Sequence, residues 1–153
     1  MARRCVFLDR DGVINEKPAL HEYVRNWNEF RFLPNIEDWI RLFKALGYLV
    51  IVITNQRGVA RGLMSLADVE EIHRNMMAEL ARRGAVIDDI FYCPHQDGEC
   101  DCRKPLPGLV TQAQRKWDLD LTTSLLIGDS DADAALASRC GIPFLRAEGG
   151  KLI

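Results

Sequence analysis

The sequence predicts an α/β fold: a doubly wound parallel sheet with helices on both faces. Three observations predict it. Short runs apolar on both faces recur along the chain, as strands of a covered parallel sheet require. Stretches with helical apolar spacing alternate with them. Each of the longer runs ends abruptly in polar residues, which this architecture collects at one edge, outside the carboxyl ends of the strands.

The first strand is expected over Arg4–Leu8, closed by Asp9, and the second over Leu49–Ile53, closed by Thr54-Asn55. Asp89–Tyr92, Ser124–Ile127 and Pro143–Leu145 make a third, fourth and fifth. Between the first two, Ile36, Trp39, Ile40, Phe43 and Leu46 keep i, i+3, i+4 spacing, with Asn35 as N-cap and Gly47 as stop. Ser65-Leu66-Ala67-Asp68 is a capping signal ahead of the stripe Val69, Ile72, Met76 and Leu80, which ends near Gly84. Further helices are expected over Leu109–Trp117 and Ala132–Cys140. Cys5 and Cys140 fall in apolar patterns and read as core. His73, among charged neighbours, reads as a solvated residue, and His21 lies in a loop near the first strand's end.

The chain has 153 residues, the size of one domain, expected to span 1–153. It is 48% hydrophobic and 27% charged, which argues against disorder. A net charge of −2 removes the electrostatic case for a nucleic-acid partner. No apolar run reaches the roughly 18–20 residues that span a membrane, and the apolar stretch after the basic N-terminus is too short for a secretory signal. A cytoplasmic protein without a membrane partner is expected.

The polar strand ends are Asp9-Arg10-Asp11-Gly12, Thr54-Asn55-Gln56, Arg103-Lys104-Pro105 and Gly128-Asp129-Ser130. Asp9 and Asp11 share a face in extended backbone, and Asp129 arrives from a distant strand. Three converging carboxylates repel unless a cation joins them, and hard oxygen donors suit Mg2+. Lys104, with the Thr54 hydroxyl and nearby backbone N–H groups, completes a phosphate site. An anionic nucleophile meeting a phosphate dianion faces two like-charge pairs, each costing about 4 kcal/mol at ~4 Å and an effective dielectric of ~20. One divalent ion and one lysine are compensation on that scale. Asp can accept phosphate covalently, so phosphoryl transfer to a carboxylate fits the set. A lone D-x-D-G would read as a turn; here it stands at the end of a buried strand with matching polar ends on the others.

Five cysteines are present, and three crowd with a histidine into Cys93-Pro94-His95, Cys100 and Cys102, a C-x-H-x4-C-x-C pattern. Four soft or borderline donors so close match a tetrahedral Zn2+ site with no open position, hence a structural one. Arg103 and Lys104 follow at once, so zinc would set the backbone ahead of the lysine.

Phe7-Leu8-Asp9-Arg10-Asp11-Gly12-Val13-Ile14-Asn15, Ile53-Thr54-Asn55-Gln56, Arg103-Lys104-Pro105 and Gly128-Asp129-Ser130-Asp131-Ala132-Asp133 resemble, in order, the four motifs of the haloacid dehalogenase-like (HAD) phosphatases. The resemblance covers nearly the whole chain and is nearest the D-glycero-D-manno-heptose 1,7-bisphosphate phosphatase and histidinol-phosphatase group. It implies Asp9 as the nucleophile that becomes an aspartyl phosphate and Asp11 as general acid/base. It implies Mg2+ on Asp9, the Asp11 backbone carbonyl and Asp129. It puts Thr54, Asn55 and Lys104 on the transferring phosphoryl group, and Asp133 in an orienting role. Ser130 departs from relatives that carry a basic residue there. Only about twenty residues separate Gly12 from Pro34, too few for a cap domain of ~50 residues, so loops at 15–32, 56–64 and the zinc loop must form the rim. Asn15 and Gln56–Gly62 resemble the heptose type, which implies substrate or phosphate contacts for Asn15, Gln56 and Arg61, with Arg103 beside them. Arg103 and Arg61, with Arg57, add positive charge that a second phosphate would reward. The expected partner is a small phosphorylated sugar or metabolite, acted on by a monomer. Histidinol phosphate as substrate, and a zinc-stabilised phospholigand-binding module without turnover, stand as alternatives. A receiver-type phospho-acceptor would not need an acid two residues after the aspartate.

Overall fold

A computed structural model of the chain describes residues 2–149 and 151–152. It holds a six-stranded sheet: β1 (Cys5–Leu8), β2 (Leu49–Asn55), β3 (Asp89–Cys93), β4 (Leu125–Gly128), β5 (Phe144–Glu148) and β6 (Lys151–Leu152). The helices are α1 (Ile36–Ala45), α2 (Leu66–Arg82), α3 (Gly108–Trp117) and α4 (Asp131–Cys140). The strand order is β3-β2-β1-β4-β5-β6. The first five strands pair in parallel and β6 pairs antiparallel with β5.

Alternation along each strand divides the core in two. Val6, Leu8, Val50, Val52 and Ile127 face one way, against Ile36, Ile40 and Phe43 of α1 and Val69, Ile72, Met76 and Leu80 of α2. Cys5, Phe7, Ile51, Ile53 and Leu126 face the other, against Leu109, Val110 and Ala113 of α3 and Leu136 and Ala137 of α4. Two helices per face make the fold doubly wound. The order of the parallel strands reverses between β1 and β4, and that switch point is where such sheets bind ligands.

Local sequence accounts for the element ends. Ser65 and Asp68 form a full capping box at the start of α2, each side chain accepting from the other's backbone N–H. Gly47 follows α1 at φ +88°, a conformation glycine adopts without the Cβ penalty. Asn35 stands at the N-cap position of α1, but its side chain makes no capping bond. Its φ of +69° is left-handed, whereas a capping side chain normally hangs from extended backbone. The two-residue β6 is too short to show alternation and was not predicted. Cys5 is fully buried, whereas Cys140 is half-buried at the margin of its cluster, a correction to the core position expected for it.

The segment between the first strand and α1 forms no separate cap. Asn15 bridges to Phe32, and Trp27 packs on Phe30 (4.9 Å between ring centroids), with Phe32 edge-on to Phe30 at 5.0 Å. Among the described residues, no helix is long and apolar enough to cross a membrane. Ile51 is fully buried in β2, between β1 and β3. Ile51→Ala is expected to cost roughly 2–5 kcal/mol, read as a lower urea midpoint at unchanged slope.

Candidate active site

The switch point brings the four polar ends together. The Asp9 backbone N–H donates to Ile127 O of β4 at 3.0 Å, so the first residue beyond β1 is tied to the strand that delivers Asp129. The chain then turns around the carbonyl of Arg10, which accepts from Val13, Ile14 and Asn15. Gly12 sits in this turn at φ +92°, and a Cβ there would stand 2.1 Å from Asp129 Oδ2. Only glycine fits both that backbone and that approach.

Lys104 is buried, and its ammonium has three partners: Asp133 Oδ1 at 2.7 Å, Asp9 Oδ1 at 3.0 Å and the Ile53 carbonyl at 3.1 Å. Asn55 holds the lysine's backbone from β2. Its Oδ1 accepts from Lys104 N at 2.9 Å and its Nδ2 donates to Lys104 O at 3.3 Å. Asp133 is fully buried on the first turn of α4, where Ser130 caps the helix and donates to Asp133 Oδ2 at 2.9 Å. Ser130 thus fixes the carboxylate that holds Lys104.

Asp9, Asp129 and Asp133 each place a carboxylate oxygen within 4.8 Å of the others. Burial pushes the Asp9 carboxyl up to about 8 against the pull of Lys104, and Asp133 and Asp11 add to the rise. Burial acts on Asp133 too, but the Lys104 charge together with hydrogen bonds from Lys104, Ser130 and Asp9 outweighs it and holds that carboxyl below its usual range. Burial would lower Lys104, yet the two carboxylates keep it raised. One buried ammonium therefore does not neutralise the cluster. Asp129 Oδ2 accepts from Lys17 at 2.9 Å, while its buried Oδ1 has no hydrogen-bond partner. A hard divalent cation fits this donor set, with its surplus negative charge and an orphaned carboxylate oxygen.

The Asp11 carboxylate points elsewhere. Its Oδ1 accepts from Arg10 Nε (3.1 Å), Arg10 Nη2 (2.9 Å) and Asn15 Nδ2 (2.9 Å), and its Oδ2 from Gln56 Nε2 (3.2 Å). Burial raises this carboxyl, but the Arg10 charge and these bonds prevail and hold it low. Its carboxylate is outside the acidic cluster, so Asp11 would reach a metal only through its backbone carbonyl.

Asn15 and Gln56, expected against the substrate, lie buried behind Asp11 and spend their amides there; Gln56 also donates to the buried Thr54 hydroxyl at 3.0 Å. Arg103 pairs with Asp97, Arg57 stands 3.8 Å from the same carboxylate, and the exposed Arg61 adds its charge to that of the pair. His21 is exposed, in a groove with Glu22, Tyr23, Arg25, Glu29 and Leu63 and away from the acidic cluster's residues.

Sequence reasoning missed Arg10, Lys17 and Asp97, and it misplaced His73. His73 is buried, its Nε2 lies 3.1 Å from Arg10 Nη1, and its ring packs edge-on against Tyr92. The signal was present: His73 is four residues after Val69 and three before Met76, on the stripe that faces the core. Its charged neighbours concealed that. Burial, then the Arg10 charge, push its pKa down to about 3.

In the loop after β3, Cys93 Sγ lies 3.5 Å from His95 Nδ1 and 3.5 Å from Cys100 Sγ, and Cys102 Sγ lies 3.4 Å from His95 Nδ1. A tetrahedron with Zn–N near 2.0 Å and Zn–S near 2.3 Å has edges of about 3.3–3.8 Å, so the four donors fit zinc. The sulfur separation is far beyond the ~2.05 Å of a disulfide. Burial raises the Cys100 thiol, but N–H groups of Cys102 and Arg103 and the adjacent thiols bring it down to about 7, whereas burial pushes Cys93 and Cys102 up, so a metal would have to displace their protons.

Because His73 stays neutral when folded but takes a proton when unfolded below about pH 6.5, folding weakens as pH falls through that value towards 3. Between pH 7 and pH 5 the wild-type protein is expected to lose about 2 kcal/mol more stability than His73→Gln, read from urea midpoints at the two pH values.

A family model described as polynucleotide kinase 3 phosphatase matches residues 4–141. The D-glycero-beta-D-manno-heptose-1,7-bisphosphate 7-phosphatase of Rhodopseudomonas palustris is 44% identical over 96% of this chain and 84% of its own length. The D-glycero-alpha-D-manno-heptose-1,7-bisphosphate 7-phosphatase of Mycobacterium bovis is 44% identical over 87% of this chain and 70% of its own. A crystal structure of D,D-heptose 1,7-bisphosphate phosphatase from B. bronchiseptica, complexed with magnesium and phosphate, superposes with a TM-score of 0.85 at 38% identity, covering 92% of this chain and 78% of that one. On sequence and fold together, the chain belongs to the HAD phosphatases, in the family of the D-glycero-D-manno-heptose 1,7-bisphosphate 7-phosphatases.

Proposed function

We propose that this chain, as one domain over 1–153, is a magnesium-dependent phosphomonoesterase that removes the 7-phosphate of D-glycero-D-manno-heptose 1,7-bisphosphate. The observation that carries the reading is the buried Lys104 ammonium, 3.0 Å from Asp9 inside an under-neutralised carboxylate cluster. The names of the relatives, and the magnesium and phosphate in the B. bronchiseptica structure, support it. The enzyme is read as a cytoplasmic monomer.

Mg2+ would be held by the carboxylates of Asp9 and Asp129 and the backbone carbonyl of Asp11. When bound, it supplies positive charge to the nucleophile and the phosphoryl oxygens. Asp9 attacks phosphorus, and the bond from phosphorus to the sugar oxygen breaks. Asp11 gives its proton to that oxygen. Asp11 then takes a proton from water as the water's oxygen attacks phosphorus, the Asp9–phosphorus bond breaks, and inorganic phosphate leaves. In the resting protein Asp11 is ionised; the phosphate dianion arriving beside it raises its proton affinity, and it takes up from solvent the proton that it then gives to the leaving oxygen. Lys104, the Thr54 hydroxyl and the backbone at Asn55 balance charge on the phosphoryl oxygens.

Arg57, Arg61 and Arg103 face a single carboxylate, Asp97, and a buried nitrogen of each of Arg57 and Arg103 has no partner. That surplus of donors suits the second phosphate of a bisphosphate. Zinc on Cys93, His95, Cys100 and Cys102 would be structural and would fix the backbone leading into Arg103 and Lys104.

Two measurements test the reading. Asp9→Asn is expected to abolish turnover, at least 1,000-fold, of a heptose bisphosphate that wild type hydrolyses in preference to histidinol phosphate. Both anomers belong in the panel. Preference for histidinol phosphate would reassign the substrate, and no turnover by either protein would make the chain a binding module. Removal of zinc is expected to raise KM about tenfold or more, with far-UV circular dichroism unchanged. A zinc-free sample with a normal KM would separate the loop from the site.

A further inference from the structure

Arg10 is fully buried, and no step above uses it. A buried guanidinium is costly unless its donors are met. Nε and Nη2 both reach Asp11 Oδ1, at 3.1 and 2.9 Å; Nη2 also lies 3.4 Å from Gln56 Oε1, and the group stands over the Phe30 ring at 5.9 Å. Nη1 lies 3.1 Å from His73 Nε2. Arginine has donors only, so His73 Nε2 must be the acceptor and the ring is neutral, protonated at Nδ1. His73 comes from α2, distant in sequence, and Tyr92 of β3 closes on its ring at 5.5 Å. The helix therefore anchors the far end of the fork whose near end grips Asp11.

The bonds divide the two oxygens of Asp11. Oδ1 accepts three hydrogen bonds, from Arg10 twice and Asn15 once; Oδ2 accepts one, from Gln56. A carboxylate oxygen already holding three donors has no lone pair to offer a proton. We propose that His73 is a positioning residue for the acid/base step: by accepting from Arg10 it holds the guanidinium on Oδ1, and so leaves Oδ2 as the oxygen that carries the proton to and from the substrate. This rests on the reading of Asp11 as general acid/base.

The test uses the magnesium- and zinc-loaded enzyme with two substrates, the heptose bisphosphate and p-nitrophenyl phosphate. The second has a leaving group that departs without protonation. His73→Leu removes the acceptor, and His73→Gln replaces it with an amide oxygen. His73→Leu is expected to lower kcat on the sugar phosphate about 10–100-fold with KM within about twofold, and to lower the pre-steady-state rate of Asp9 phosphorylation several-fold less with the nitrophenyl ester than with the sugar phosphate. His73→Gln is expected to recover most of the loss. If the leucine variant does not fold, His73→Met, with only a weak sulfur acceptor, takes its place. An unchanged kcat, an equal loss in the pre-steady-state rate at which the two substrates phosphorylate Asp9, a loss confined to KM, or a glutamine variant as impaired as the leucine variant would each overturn the proposal. Asp11→Asn, run alongside, separates the two ideas. If it keeps full kcat, the acid/base reading itself falls; if it is inactive while His73→Leu is unaffected, only the role of His73 falls.

Discussion

Charge compensation inside the sheet's switch point governs this molecule. Strands β1 and β4 lie side by side, so the residues at their ends, Asp9 and Asp129, are forced together, and α4 adds Asp133. Buried like charges at this range repel strongly. Lys104 answers two of them at once, and it can because its backbone is clamped by Asn55 and its ammonium reaches the Ile53 carbonyl. The remaining negative charge is what suits the cluster to a cation rather than to a stable ion-pair network.

Beneath that face lies a second polar layer of opposite character. Arg10, Asn15, Gln56, Thr54 and His73 are all buried and bonded to one another or to Asp11. A buried polar network is stabilising when its members are satisfied and costly when they are not. Here it fixes the direction of one carboxylate, that of Asp11. The two layers explain why adjacent aspartates have unlike surroundings: Asp9 is short of positive charge, and Asp11 is bound to it.

The zinc-type loop solves a different problem. The residues from Cys93 to Cys102 include little apolar bulk, so they cannot hold a conformation by packing alone. Four donors at tetrahedral spacing replace a core. The loop is tied to its surroundings by the Gln56 N–H on the Cys93 carbonyl at 2.7 Å and the Gly108 N–H on the Asp101 carbonyl at 2.8 Å, so its order is passed to the neighbourhood of Lys104.

The parallel sheet, its helices and the residues at its tips were legible in the sequence because those signals are local. Apolar runs, helical spacing, a capping box at Ser65 and ligand spacing from Cys93 to Cys102 all repeat over a few residues. The acidic strand ends were legible for the same reason. Which partner each polar side chain takes was not. Arg10 stands in the first motif with no role assigned to it, and Asn15 and Gln56 read as substrate ligands. His73 reads as solvated, until α2 is laid on the sheet and its Nε2 comes within 3.1 Å of Arg10. A hydrogen bond is decided by tenths of an ångström between groups far apart along the chain. The chain order alone therefore determined which chemistry is present, and the packing of helix on sheet decided which atoms of it are free to act.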